Sequence, residues 1–276
     1  MSSKKRRGYV IPIGGAEEKE HDPRILRRFV ELCGGTHATI AVIPTASQLK
    51  TTGPQYEHLF HDLLGAERVH VLAYRERRDA DNLEWLKILR QVAGVFVTGG
   101  NQMRLTTVLG GTEVAELLRS RNANESLHLA GTSAGAAFMS EHMIAGGDEG
   151  PTPHEGMVTL ASGLGVARKL IVDQHFRQRD RLGRLLSAIA ANPQAIGLGL
   201  DEDTGAFLGP NDDLEVVGSG AVTIVDPSEM EATTIDQAPP HAAVSVTNLR
   251  LHVLSDGGHF DLKTRRARAP ATRSDD

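Results

Sequence analysis

The segment Gly131-Thr132-Ser133-Ala134-Gly135-Ala136 carries the residue types and spacing from which a nucleophile can be built. It lies where an apolar run at 127–130 meets a stretch of small residues that reads as a helix from about Ala134. Gly-x-Ser-x-Gly at a strand-to-helix turn is a nucleophile elbow: the glycines let the backbone bend sharply, and the serine hydroxyl stands out at the strand tip. The N–H of Ala134 then faces a developing oxyanion at the positive end of the helix. Glycine and serine are common, and the same pattern also serves as turn punctuation. Its weight therefore depends on what else the chain brings to this point.

A serine nucleophile needs a base, and the base an orienting group. The run 170–172 leads into Asp173-Gln174-His175-Phe176, which puts a histidine just past a buried strand as a candidate base. The chain has 12 histidines, and an isolated one is more often a packed or solvated bystander. The run 195–200 ends in Asp201-Glu202-Asp203. Three acids at a strand tip read as a solvated turn or as a carboxylate source for the imidazole, and the residues alone leave all three open. The run 94–98 feeds Gly99-Gly100-Asn101-Gln102, so the N–H of Gly99 or Gly100 is a candidate second oxyanion donor beside Ala134. A tight turn entering a helix is the equal alternative. The order Ser, His, acid is permitted, because triads are recognised by geometry and not by sequence order.

These residues need a scaffold that gathers strand tips, and the chain supplies one. Short β-rich runs recur at 9–13, 39–43, 69–73, 94–98, 127–130, 170–172 and 195–200. Most are near-continuously apolar, as expected of parallel strands covered on both faces. Amphipathic stretches separate the first five. One opens at Asp22-Pro23, read as an acidic N-cap with Pro at the first helical position, and closes at Gly34-Gly35. Another spans about 54–64 with Gly65 as a stop, and a third, 83–92, carries Trp85. The alternation predicts right-handed crossovers and a doubly wound sheet, whose ligand crevice lies beyond the carboxyl ends of the strands. From Gly205 onward turn signals multiply (Gly209-Pro210-Asn211-Asp212, Gly218-Ser219-Gly220), which predicts antiparallel strands at one sheet edge. The chain is expected to comprise a basic N-terminal extension at 1–8, one catalytic domain at 9–262 and a mobile basic tail at 263–276.

Composition excludes several function classes. Hydrophobic residues make up 40% and charged ones 24%, enough for a sizeable globular core. A net charge of −5 provides no overall basic field, so neither nucleic acid nor an anionic membrane is expected as a partner. The basic start Lys4-Lys5-Arg6-Arg7 is followed by an apolar run broken by Pro12, too short for a secretory leader. No run approaches the ~20 apolar residues of a membrane span. With the single cysteine, Cys33, this suggests a reducing, cytoplasmic setting. Cys33 reads as a small buried hydrophobe. His58 and His61 lie one helical turn apart but lack further ligands of clear spacing, so no metal and no cofactor is expected.

Taken in order, Gly14-Gly15-Ala16-Glu17, Ile43-Pro44-Thr45-Ala46-Ser47, Thr98-Gly99-Gly100-Asn101-Gln102, Gly131-Thr132-Ser133-Ala134-Gly135-Ala136, Asp173-Gln174-His175-Phe176, Arg179-x-Arg181-x-Gly183-Arg184-Leu185 and Asp201-Glu202-Asp203-Thr204 closely resemble the cyanophycinases, serine peptidases related to aspartyl dipeptidase. The likeness covers roughly 9–226. It departs at Gly205, where alanine is expected, and no motif is placed after Asp226. The resemblance implies a three-layer αβα sandwich similar to class I glutamine amidotransferases, built on a mostly parallel sheet. It implies serine-type exopeptidase hydrolysis of cyanophycin, a poly-aspartate whose β-carboxyls carry arginine, to β-Asp-Arg dipeptides by a homodimer. It implies Ser133 as nucleophile, His175 as base and Glu202 as acid, with Gln102, Asp173, Gln174, Arg179, Arg181 and Arg184 lining the substrate pocket. Alternation along a persisting strand would set Glu202 opposite Asp201 and Asp203. Arg181 and Arg184 are expected on one face of a helix after His175, with Asp173 as partner for a substrate guanidinium. A peptidase for other aspartyl or β-linked dipeptides, or a silent Asp-Arg binding protein, are the alternatives; an intact Ser, His and acid set argues against the second.

Overall fold

The apolar runs become strands β1 Val10–Ile13, β2 Thr39–Ile43, β3 Arg68–Val71, β4 Gly94–Val97 and β5 His128–Thr132. They are followed by β6 His142–Gly147, β7 Val158–Ser162, β8 Leu170–Gln174, β9 Ile196–Leu200, β10 Thr204–Leu208, β11 Asp213–Gly218 and β12 Val222–Asp226. A small pair, β13 Ala232–Thr233 with β14 Val246–Thr247, precedes β15 Arg250–Leu254, β16 His259–Asp261 and β17 Arg266–Arg268. The helices are α1 Arg24–Leu32, α2 Thr52–His58, α3 Leu83–Leu89, α4 Gln102–Leu109, α5 Glu113–Asn124, α6 Ala134–Phe138 and α7 Leu182–Ala191. The structure, a computed structural model, describes residues 6–270.

The main sheet has nine strands in the order β17-β16-β11-β10-β1-β5-β4-β2-β3. Strands β1 to β5 run parallel, and β10, β11, β16 and β17 add an antiparallel edge. Side chains of a strand alternate between faces. Ile11, Ile13, Ile40, Val42, Phe96 and Ala130 accordingly enter a core with Phe29 of α1 and Tyr56 of α2. Val10, Ala41, Ile43, Val95, Val97 and Leu129 enter the opposite core with Leu86, Leu105 and Leu118. Both faces are covered, which is why these runs are apolar at nearly every position.

Three expectations need correction. Strands β8 and β9 do not join the main sheet: they form a separate four-stranded sheet, ordered β15-β12-β9-β8. Its Val172, Leu198 and Ile224 share a core with the main sheet, while Ile171 and Val225 face Leu185 and Ile189 of α7. At α1, Pro23 occupies the N-cap and no side chain caps the helix, so Asp22 stands one residue too early for that role. The stretch 263–268 is not a loose tail, because β17 pairs with β16 and Arg265 holds the fully buried carboxylate of Asp226. The rest of the expected tail, 271–276, lies outside the described residues. The basic N-terminal stretch, where it is described, packs on the domain: Arg6 pairs with Glu125 through a backbone β-bridge, and Gly8 N–H donates to Asn122 O at 2.7 Å.

No helix among the described residues is long and apolar enough to cross a membrane. Cys33 is 4% exposed, and burial pushes its thiol up, away from the reactive thiolate.

Candidate active site

Ser133 sits between β5 and α6 with φ 52° and ψ −112°, a left-handed conformation that a non-glycine residue adopts only under surrounding constraint. The constraint is close packing of strand against helix. A Cβ on Gly135 would come 2.3 Å from Val97 O, so the second glycine of the elbow is needed for the approach of α6 to β4. Ser133 N–H donates to Ile13 O at 2.9 Å, which ties the elbow to the end of β1.

The candidate base and acid arrive from the second sheet. His175 follows β8 with φ 48°, and Glu202 lies in the turn where the chain leaves β9 for β10 of the main sheet. Ser133 Oγ is 2.9 Å from His175 Nε2, and His175 Nδ1 is 2.6 Å from Glu202 Oε1. A carboxylate only accepts, so Nδ1–H donates to Glu202 and leaves Nε2 as the acceptor for the serine proton. The two sheets are joined here by Gly14 and Gly15. His175 N–H donates to Gly14 O and Asp203 N–H to Gly15 O, each at 2.8 Å. Gly15 has φ 100°, and a Cβ there would lie 2.3 Å from His175 Cε1. These glycines are positioning elements that the residues alone gave no reason to single out; the signal was a Gly-Gly pair at the end of the first strand.

The three acids separate by their partners. Asp201 is 5% exposed and accepts from Arg177 N–H and Ala221 N–H. Asp203 accepts from Glu18 N–H and Ser219 Oγ. Only Glu202 meets the imidazole. Strand alternation does not produce this, because β9 ends at Leu200 and Asp203 already has φ 47°. Of the two candidate glycine donors, Gly99 lies against the serine: a Cβ on it would be 3.3 Å from Ser133 Cβ and 3.8 Å from Ser133 Oγ. A Cβ on Gly100, which has φ 141°, would instead lie 2.2 Å from Ala46 O, so this glycine packs against the segment after β2.

The expected pocket residues divide. Gln174 Oε1 is 3.3 Å from Ser133 Oγ, and Arg179 is exposed on the short turn after His175. Gln102 spends its amide N–H groups on Ile144 O and Ala145 O. Asp173 is 1% exposed and grips Arg184 through Nε at 2.6 Å and Nη2 at 2.5 Å. It is therefore occupied by a guanidinium of the chain itself, and its expected pairing with a substrate guanidinium is not met; Arg184 is spent in the same way. Arg181 is not on a helix face with Arg184: it is the residue before α7, and donates to Gln174 O at 2.5 Å. Burial, with Arg184 beside it, pushes its pKa down to about 10, so it stays charged at neutral pH. Removing one member of a buried ion pair leaves an uncompensated charge. Asp173→Asn is thus expected to cost about 3–5 kcal/mol, read as a lowered urea midpoint at unchanged slope.

Sequence reasoning also passed over Glu17 as a working residue. It is 3% exposed and accepts from Thr132 Oγ1 at 2.5 Å, from Tyr56 OH and from Lys19 Nζ at 3.1 Å. A buried carboxylate with three donors locks the residue directly before Ser133 to α2.

Burial lowers the His175 pKa below the ordinary histidine value; Glu202 opposes this, and the cations Arg179 and Arg181 add to it. An imidazole serving as the base must be unprotonated, so if His175 has that role the acid limb of kcat/KM should lie below that of free histidine. Arg179→Gln removes one of the repelling charges. The limb is then expected to move to higher pH, which a kcat/KM profile reads directly.

Residues 10–217 match the model of the family described as Peptidase family S51. A cyanophycinase of Trichormus variabilis is 46% identical over 257 residues, covering 93% of this chain and 86% of that protein. A cyanophycinase of Geminocystis herdmanii is 41% identical over 264 residues, covering 95% and 97%. Among solved structures, a peptidase from an acI-B1 actinobacterium superposes with a TM-score of 0.65 at 21% identity, covering 91% of this chain and 99% of that one. A peptidase E-like protein of Listeria monocytogenes gives 0.53 at 17% identity, covering 77% and 99%. At these identities the two structures speak for the fold.

Proposed function

Since the chain belongs to peptidase family S51, we propose that it is a serine-type exopeptidase that hydrolyses cyanophycin to β-Asp-Arg dipeptides. The observation that carries this reading is the unbroken relay from Ser133 Oγ through His175 to Glu202, in a chain 41–46% identical to proteins named cyanophycinase. Ser133 Oγ attacks a backbone aspartyl carbonyl while His175 Nε2 takes its proton. Collapse of the tetrahedral intermediate expels the amine, which receives that proton from the imidazolium. Water, deprotonated by the same histidine, then releases the acyl group from the serine. Glu202 holds the tautomer and steadies the imidazolium. The N–H groups of Ala134, at the start of α6, and Gly99 receive the oxyanion.

In this reading Gln174, 3.3 Å from Ser133 Oγ, and the exposed Arg179 meet the substrate. The pair Asp173–Arg184, with Arg181, supports the wall behind them. In this reading the enzyme acts in the cytoplasm as a homodimer. The test is release of dipeptide from purified cyanophycin against hydrolysis of free aspartyl dipeptides. Dipeptide release from the polymer is expected; cleavage of free aspartyl dipeptides alone would replace the proposal with a dipeptidase, and no turnover on either would refute it.

A further inference from the structure

A cavity of about 640 Å³ opens at the end of the molecule opposite the elbow. Leu208 and Leu170 line it, and Leu208 pairs with Val10 at the start of β1, whereas Ser133 follows the far end of β5. Four separate segments converge on it and bring six cations: Arg7, Arg119 of α5, Arg168 and Lys169 before β8, and Lys263 and Arg265 in the β16–β17 turn. The lining holds one carboxylate, Asp212. The chain as a whole carries −5, so six cations against one acid reverse its average charge at this place.

The cations are held in different ways. Asp212 takes Arg7 at 2.5 Å and lies 3.8 Å from Lys263 Nζ. Arg265 is anchored by the buried Asp226, and Arg119 by Glu116 and Leu164 O. Arg168 and Lys169 are exposed and have no ion pair or side-chain hydrogen bond among the described residues. Like charges gathered in a concave, low-dielectric wall raise the local potential and draw in counter-ions. Carboxylates of the chain offset Arg7, Arg119, Lys263 and Arg265, whereas Arg168 and Lys169 have no such partner among the described residues and are open to an anion that bridges them to this wall. The volume falls in the ordinary range of small-ligand sites, roughly 300–1,000 Å³, and exceeds what one phosphate fills.

We propose that this cavity is a second binding site, distinct from the peptidase centre, for a small polyvalent anion carrying two or three phosphate or carboxylate groups. Arg168 and Lys169 supply its free donors, and the anchored Arg7 and Arg265 its fixed wall. Guanidinium forks bind either group through paired charge-assisted hydrogen bonds.

The experiment is calorimetric titration of the full chain with pyrophosphate, with citrate and with inorganic phosphate. Saturable binding of pyrophosphate or citrate is expected, tighter than that of inorganic phosphate, and which of the two binds identifies the group. The double variant Arg168→Ala/Lys169→Ala should keep its circular dichroism and its peptidase turnover but bind about tenfold or more weakly. Ser133→Ala should bind as the wild type does. Absence of binding of both polyvalent anions at millimolar concentration would overturn the proposal and leave a solvated basic surface. Equal binding by the double variant would also overturn it, since the anion would then be held elsewhere, as by Arg179 beside the peptidase centre.

Discussion

Ser133→Ala is expected to lower turnover of cyanophycin by about 10⁴- to 10⁶-fold. The side chain removed is half-buried and, among the described residues, its hydroxyl hydrogen-bonds only with His175 and Gln174, so the fold has little to lose. Ala keeps the Cβ, and Ser133 already tolerates one at φ 52°. The thermal midpoint should therefore hold while the rate collapses, and weak polymer binding should persist. By comparison, loss of a single oxyanion donor costs about 10² to 10³. Wild-type activity should survive EDTA. If instead EDTA stops the wild type and Ser133→Ala still turns over, the serine is not the nucleophile.

Glu202→Gln is the second large effect expected, a fall of about 10⁴ in kcat. The glutamine amide can donate to His175 Nδ1, which would put the remaining ring proton on Nε2 and point it at the serine hydroxyl. It also removes the charge that steadies imidazolium. Asp201→Asn and Asp203→Asn should act differently. Asp201 holds Arg177 N–H and Ala221 N–H, and Asp203 holds Glu18 N–H and Ser219 Oγ. Their loss should lower the urea midpoint through loosened turns, with a much smaller change in rate. Equal rate losses in all three variants would mean that the turn acts as a structural unit and that Glu202 has no special role.

Much of the candidate site was legible before any coordinates, and for identifiable reasons. The elbow was readable because bending a strand into a helix at a serine requires glycine on both sides, a requirement written in neighbouring residues. His175 was nominated by its place just past an apolar run, but so were other polar residues at strand tips. Family resemblance singled out Glu202 from Asp201 and Asp203, while the strand alternation invoked beside it fails because β9 ends at Leu200; their roles depend on groups such as Gly15, Ala221 and Ser219 that are remote in sequence or shared between turns. The pairing of Asp173 with Arg184 was missed for a related reason. Spacing marks them as charged residues near the base, yet whether such residues face solvent, substrate or each other depends on burial.

What the sequence determined by itself is local. The parallel strands follow from runs apolar at nearly every position, because both faces must be covered. The helix starts and stops follow from glycine and capping residues, although Pro23 shows that such boundaries slip by a residue. The nucleophile turn follows from Gly131 to Gly135. What only the tertiary structure decided is the division into two sheets and the meeting of their loops. Strands β5, β8 and β9 carry the same apolar signature, and nothing in that signature says which strand pairs with which. Pairing is set by long-range hydrogen bonding and by the packing of Val172 and Leu198 against the main sheet and of Ile171 against α7. Because that choice puts His175 and Glu202 on the second sheet and Ser133 on the first, the relay exists only where Gly14 and Gly15 let the two sheets touch.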